Sequence, residues 1–532
     1  MHQRLITIEG RTVQRQIVEQ RSLQLAQAIS EAGLREGDVL AVFMRNRQAY
    51  LEAILACRRL GIYYCPINWH FTAPELQYIL HDSGAKLLLT EADLLAVARQ
   101  AIELMQPSLP VVCDGLSLCL GSASFRTSKG SPDGAKAPET SDKPEVRPEP
   151  SDTLDYDAWI ERFCAYDGPQ VAPRGHMAYT SGTTGRPKGV VRFPVAVEHL
   201  KENQATVARV VEQAYGLKPG VRALLPAPIY HSAPSLFCQM SLLMCDHLVV
   251  TDRFDAEGLL RDIETYKIEV VYMVPIMYVR LLRLDPAIRQ RYDLSSLRFV
   301  ASTGSPCPPD IKRQMIEWFG PVINETYASS EGGLITLATS ADAIRKPGTA
   351  GRPVETATVR IMDADGHILG PGETGYIYVR NSAYADFTYR HRPEARQAME
   401  RDGLITLGDI GYLDQEGYLF VCDRETDMVL SGGVNIYPAE IEHTLMSYPG
   451  VSDCAVIGLP DPEFGQRLVG VIERGSGQDI LTDDLNAWLG QHLARFKIPR
   501  SYLFTDRLPR DPNGKISRSR LRQKLLDNHH SV

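Results

Sequence analysis

From Tyr179 to Gly189 the chain reads Tyr-Thr-Ser-Gly-Thr-Thr-Gly-Arg-Pro-Lys-Gly, which sets three glycines, four serine or threonine hydroxyls and two cations within eleven residues. Backbone N–H groups freed by glycine, together with the hydroxyls of Thr180, Ser181, Thr183 and Thr184 and the charge of Lys188, can surround phosphate oxygens. The wording is not that of a Walker A loop, because Pro187 precedes the lysine and Gly189 follows it. A plain flexible turn would use Gly182 and Gly185 without needing the hydroxyls and cations beside them. Two further stretches have chemical potential. Asn513-Gly514-Lys515 is a tight turn that presents a lysine, and Ser431-Gly432-Gly433 lets a backbone approach a ligand closely before Pro438 starts a helix.

The first stretch resembles the phosphate-loop signature of the adenylate-forming superfamily, which includes acyl-CoA synthetases, carrier-dependent adenylation domains and beetle luciferases. More motifs follow in that family's order, so the resemblance runs from about Ile6 to Leu521. Ser302-Thr-Gly304-Ser305-Pro306 looks like the adenine-side turn. Asn324-Glu325-Thr326-Tyr327-Ala328-Ser329-Ser330-Glu331 is similar to the Tyr-Gly-x-Thr-Glu motif, with Ala328 for Gly and Ser330 for Thr. The resemblance implies nucleotide contacts at Gly304, Ser305, Glu325, Thr326, Tyr327 and Ser330, and a Mg²⁺ site at Glu331 with Thr180. Thr406-Leu407-Gly408-Asp409 resembles the Thr-Gly-Asp motif with Leu407 inserted, and implies Asp409 as the ribose anchor. Arg424 then stands as another ribose or phosphate contact, at the junction between two domains. The family commonly has Asp or Lys at the hinge, where this chain has Thr426, so the hinge is expected at Thr426 or at Asp427.

By the same resemblance His231, in Pro228-Ile-Tyr-His231-Ser-Ala-Pro234, is the aromatic gate of the acyl pocket. Gly432 and Gly433 serve the thioester step, and Lys515 is the adenylation lysine. No carboxylate stands beside His231 to pair with an amino-acid amine, which lowers an amino-acid substrate. Residues near His231 to Met240, Thr303 to Cys307 and Tyr327 to Thr336 are apolar or small, so a hydrophobic acid is favoured, whether fatty, aryl or steroid-like. The implied activity is an ATP-dependent acid:CoA ligase of lipid metabolism, with ATP and CoA as co-substrates and Mg²⁺ as cofactor. A stand-alone enzyme loading a separate carrier protein is the alternative. A nucleotide sensor without catalysis and a luciferase-like oxidation also stay open.

The elements that must position these groups alternate. Apolar residues recur at helical spacing from Thr12 to Ala32, before a short strand at Val39 to Phe43. A helix from Ala49 to Leu60 leads into a strand ending at Pro66. Another opens on Thr72 and Glu75, which have the spacing of a capping box, and leads into a strand near Lys86 to Thr90. This alternation predicts α/β architecture: a large N-terminal domain (1–424) of helix-covered sheets with a β-rich subdomain, then a small α+β domain (425–532) that the resemblance implies is a mobile lid. The stretch 122–152, rich in Pro, Lys, Ser, Asp and Glu, reads as a flexible surface insertion.

At 532 residues with 44% hydrophobic and 23% charged composition, the chain can bury a large core, which excludes global disorder and fibrous classes. Lys+Arg 57 against Asp+Glu 65 gives −8, with no basic cluster, so nucleic acid is not expected as a partner. Ten scattered cysteines without a C-x-x-C pair suggest reduced thiols and a cytoplasmic setting. The N-terminus lacks the apolar core of a secretory signal, and the longest apolar run, Val270 to Val279, falls short of the ~18 residues of a membrane span. A homodimer is left open.

Overall fold

A computed structural model describes residues 4–105, 109–116, 153–169, 171–180, 186–431, 434–475, 480–511 and 514–529. The insertion expected at 122–152, the phosphate-loop residues Ser181 to Gly185, and Gly432 and Gly433 lie outside the described residues. The chain divides into two compact units, one of Met1–Lys201, Ile229–Ser235 and Ala385–Pro393, the other of Glu202–Pro228, Leu236–Tyr384 and Glu394–Val532.

In the first unit a five-stranded parallel sheet runs in the order Tyr63–Pro66, Val39–Phe43, Leu87–Glu91, Val111–Asp114, Thr153–Asp155. Val39–Phe43 is buried at every residue, as a strand covered on both faces should be. The capping box expected at Thr72 is formed: Glu75 accepts from the Thr72 backbone at 3.0 Å and its helix spans Ala73–Ser83. That helix and Gln48–Leu60 both stop at a left-handed glycine, Gly84 and Gly61. The first helix begins later than its periodicity predicts, at Arg15 rather than Thr12. Arg11–Gln14 is instead a strand paired with Leu5–Ile8 across a turn at Glu9 and Gly10, both at positive φ. A smaller antiparallel sheet joins Ala178–Thr180, Lys188–Arg192 and Phe387–Tyr389.

The second unit holds five parallel strands in the order Ile323–Glu325, Phe299–Ser302, Val270–Met273, Arg222–Leu225, His247–Val250. An antiparallel sheet follows, pairing Ala357–Met362, Gly375–Asn381, Leu404–Leu413 and Leu419–Arg424 in turn. Beyond it the chain forms the helix Pro438–Met446, the long hairpin Val451–Asp461 and Gly465–Arg474, and the strand Ser501–Thr505 parallel to it. Two apolar clusters, one around Ile441, Leu445, Val456 and Leu489 and one around Ile457, Val469 and Leu508, are built wholly from residues past 428. The fold is thus α/β with a large N-terminal and a small C-terminal domain, as expected.

Candidate active site

The second unit assembles most of the expected site. Parallel strands present their C-terminal ends to ligands, and the strand Phe299–Ser302 ends in an exposed turn at Gly304, φ +99°, with Ser305 half-buried beside it. Its neighbour Ile323–Glu325 runs on into the Tyr327 motif, fixed where Thr326 N–H donates to Ser302 O at 2.8 Å. The carboxylate of Glu325 is paired with Lys312 Nζ at 2.7 Å, both side chains less than a tenth exposed. Burial alone would pull the Lys312 ammonium down, and the charge of Glu325, that of Cys307 and the hydrogen bond to Glu325 together hold it above the ordinary lysine value.

Tyr327 Oη donates to Asp409 Oδ2 at 2.5 Å, while Arg424 Nε donates to Oδ1 at 3.1 Å. Burial, then the adjacent Asp409 charge, holds the Tyr327 phenol well above its ordinary value. Each carboxylate oxygen keeps a second lone pair for a ligand hydroxyl. The inserted Leu407 has a structural meaning. Between the pairs Tyr376↔Ile410 and Tyr378↔Thr406, residues Leu407, Gly408 and Asp409 stand opposite Ile377 alone, with Gly408 at φ +76°. The strand bulges there, and a bulge re-aims the side chain it carries. Across the next pairing Asp409 stands opposite Arg424, which accounts for their ion pair.

Glu331 is buried at the end of a short hairpin, Ala328–Ser329 with Gly333–Leu334, and Ser330 beside it is half-buried. Gly333 takes φ +74°, and a Cβ there would meet the Tyr384 ring at 2.5 Å, so any side chain would strain the backbone and displace that ring. Lys515 follows a turn closed by Gly514 N–H to Asp511 O and Asp511 N–H to Lys515 O, both 2.8 Å, and by Lys515 N–H to the Asp511 carboxylate at 2.8 Å. Its side chain is reached by solvent, yet enclosure by surrounding protein pushes its pKa below the ordinary lysine value. Arg424 pushes the same way, while Asp511, Glu331 and Asp409 oppose. Arg424 is likewise half exposed, and Asp409 then burial act on it in opposite senses. Both cations are reached by solvent, and the charges of Arg424, Asp511, Glu331 and Asp409 all act on the lysine.

The junction is held on both sides. Glu425 N–H donates to Gly408 O at 2.8 Å and its carboxylate takes Tyr376 Oη at 2.7 Å. Asp427 accepts from Arg518 at 2.8 Å, and Arg518 also reaches Glu442 at 2.6 Å. Thr426 between them is exposed.

In the first unit Thr180 and Lys188 face each other across the stem of the phosphate loop. Lys188 Nζ lies 5.2 Å from the Tyr389 ring centroid, and Arg186 lies 5.1 Å from that of Tyr78, whose hydroxyl donates to Pro187 O at 2.8 Å. His231, half-buried and 4.3 Å from the Tyr230 ring, sits in a segment pinned by Ile229 N–H to Asn46 Oδ1 at 2.9 Å. Ser232 Oγ in the same segment meets His176 Nε2 at 2.7 Å. Burial, with Arg192 nearby, lowers His176 to about 4, so the ring is neutral.

Sequence reasoning did not single out Lys312, which secures Glu325, or Arg510, which grips the Lys515 turn. Arg510 stands just before the Asn513-Gly514-Lys515 turn, but its partner Asp453 is 57 residues away.

A parallel sheet whose strand ends lead into the Tyr327, Asp409 and Arg424 cluster is a scaffold of the nucleotide-binding class. Residues 4–386 match the family model for the AMP-binding enzyme and residues 440–515 that for the AMP-binding enzyme C-terminal domain, and the chain belongs to this family. It is 33% identical to the feruloyl-CoA synthase of an Amycolatopsis species, over 96% of this chain and 93% of that protein. It is 31% identical to the long-chain-fatty-acid–CoA ligase FadD13 of Mycobacterium tuberculosis, over 94% and 90%. Among solved structures, o-succinylbenzoate coenzyme A synthetase from Bacillus subtilis, in complex with ATP and magnesium ion, superposes with a TM-score of 0.77 at 26% identity, covering 98% of this chain and 96% of that one.

Proposed function

We propose that the chain is an AMP-forming acid:CoA ligase acting on a hydrophobic carboxylic acid. The observation that carries this reading is the buried Asp409 carboxylate, held by Tyr327 at 2.5 Å and by Arg424 at 3.1 Å with a lone pair left on each oxygen. A carboxylic acid is ionised at neutral pH, so the substrate needs no base to become a nucleophile. The difficulty is the approach of one anion to another. A carboxylate oxygen attacks the α-phosphorus of ATP, the P–O bond to pyrophosphate breaks, and charge grows on the phosphoryl oxygens. Lys515 and the loop flanked by Thr180 and Lys188 stabilise that charge. In the second step the sulfur of CoA attacks the acyl carbonyl carbon, and the C–O bond to AMP breaks.

Asp409 and Arg424 hold the ribose in this reading, Tyr327 orients Asp409, and Gly304, Ser305, Thr326 and Ser330 border the nucleotide. Glu325 contributes through its bond with Lys312. His231 gates the acyl pocket, and Gly432 and Gly433 serve the thioester step. Glu331 and Thr180 offer only oxygen donors, one of them a buried carboxylate, which suits a hard cation that keeps phosphate oxygens and waters as its other ligands. Those two residues would hold Mg²⁺, which supplies neutralisation of phosphate charge. The domain boundary falls at 424/425 with Thr426 as the hinge, because the side chains of both its neighbours are held while its own is exposed.

The test is pyrophosphate release with ATP and a panel of octanoic, dodecanoic, benzoic and cinnamic acids, with CoA or a carrier protein as acceptor. Acid-dependent release and a CoA thioester are expected, and a thioester on the carrier alone would replace CoA as acceptor. Lys515→Ala should cut adenylation by about 10²–10³-fold while sparing thioester formation from supplied acyl-adenylate. Equal loss in both steps would remove the assigned role.

A further inference from the structure

A lysine ends in a point charge on a flexible stem, so the direction of the Lys515 ammonium depends on how its turn is held. Arg510 holds it. Its guanidinium donates Nε to Asp453 Oδ2 at 2.5 Å and Nη2 to Oδ1 at 2.8 Å, a bidentate pair. It also donates Nη1 to the carbonyl of Gly514 at 2.8 Å and Nη2 to that of Cys454 at 3.0 Å. The Gly514 carbonyl belongs to the peptide that leads directly into Lys515. Asp453 is 8% exposed and lies on the long strand Val451–Asp461, whose next four residues are almost wholly buried.

The opposite side of the turn is equally confined. Gly514 takes φ +78°, and a Cβ there would lie 2.7 Å from Ile276 Cγ2, so the turn is pressed against the helix Pro275–Leu282. Arg283, the residue that ends that helix, donates to the carbonyl of Ser452, next to Asp453. Thus the strand gripped by Arg510 is tied to the helix on which the lysine turn rests.

We propose that Arg510 is a positioning residue for Lys515: it fixes the peptide before the lysine so that the ammonium is delivered toward Glu331 and Asp409. The proposal rests on the reading that Lys515 serves adenylation. Arg510 touches no substrate, and its planar fork is what allows one side chain to hold a carboxylate and two carbonyls together. A lysine here could keep the ion pair but not the Gly514 contact.

The test uses the full chain and the most active acid of the panel above. Arg510→Ala and Arg510→Lys are each compared with wild type in adenylation, in thioester formation from supplied acyl-adenylate, and in thermal midpoint. A displaced catalytic group costs on the order of 10–100-fold, and that loss is expected in adenylation for both variants, with thioester formation unchanged within about twofold. Arg510→Lys should keep the wild-type midpoint. In the Lys515→Ala background Arg510→Ala should cost no more than about twofold further, because there is no ammonium left to place. Full adenylation activity in both variants, equal loss in both half-reactions, or independent losses in the double variant would each overturn the proposal. If Arg510→Ala does not fold, Arg510→Lys and Asp453→Asn carry the same comparison. Should Lys515→Ala alone leave adenylation intact, the reading of Lys515 fails instead, and Arg510 is left without a role in the reaction.

Discussion

At the scale of single residues, the consequential group is Asp409. Both its oxygens are engaged, by Tyr327 and by Arg424, so its orientation is set before any ligand arrives. Asp409→Asn keeps the volume but turns one acceptor into a donor facing a donor. A hydrogen bond to a charged group is worth ~1.5–3 kcal/mol, so KM for ATP should rise roughly ten- to hundredfold. Tyr327→Phe removes only the orienting bond and should cost less, about fivefold. Steady-state kinetics with ATP varied would check the ranking, and the reverse order would remove Asp409 as the nucleotide's anchor. The aspartate itself was legible, since Gly408-Asp409 survives the inserted Leu407. Its partnership with Tyr327, 82 residues away, was not, because that contact exists only once a bulge has turned one strand and a hairpin another. Arg510 and Asp453 were hidden for the same reason: charged residues are common, and a spacing of 57 carries no periodic signal.

At the scale of elements, local chemistry was read well wherever it was complete within a few residues. The capping box at Thr72 and the buried strand at Val39–Phe43 needed no tertiary context. The start of the first helix did, because Thr12 and Val13 fit the helical period but are β-branched, and pairing with Thr7 and Ile6 across the Glu9-Gly10 turn wins. Asp423 shows how one element anchors another. Its carboxylate accepts from Ala439 N–H at 3.0 Å in the first turn of the helix Pro438–Met446, and from Arg424 N–H at 2.8 Å. Burial pushes it up to about 6 even though Arg518 and those N–H groups favour the charge, with Glu442 adding to the rise. A carboxyl raised in the folded state contributes stability that is full below about pH 4 and lost as pH climbs through about 6. The change is worth on the order of 2–3 kcal/mol. Asp423→Asn cannot titrate, so its thermal midpoint measured from pH 4 to pH 7 should fall less with rising pH than that of wild type. Parallel curves would assign the dependence to other groups.

At the scale of the whole molecule, the proposed reaction runs two chemical steps at one nucleotide site, and in that reading the movement between them turns on Thr426. The two apolar clusters of the C-terminal region draw on no residue before 429, so that region can move as a body without opening its own core. On the N-terminal side Arg424 and Glu425 are held by Asp409, Gly408 and Tyr376, and on the C-terminal side Asp427 is held by Arg518. Rotation about the backbone of Thr426 leaves these side-chain bonds intact on each side, and what it opens are the Asp427 and Met428 N–H bonds to Arg424 O and the Ala439 N–H bond to Asp423. The chemistry of the residue matters little there, because the side chain is exposed. Thr426→Ala should therefore leave both half-reactions close to wild type. Thr426→Pro fixes φ near −65° and restricts Glu425 as well, removing the freedom that a swing requires. The expected result is a fall in thioester formation at least about tenfold larger than any fall in adenylation, since in the proposed reading the held Lys515 turn serves the first step and the swing belongs to the second. Separate measurement of pyrophosphate release and of CoA thioester from supplied acyl-adenylate would show this. A proline variant that loses adenylation as heavily has broken the turn rather than stiffened it, and one that loses neither places the pivot at another residue.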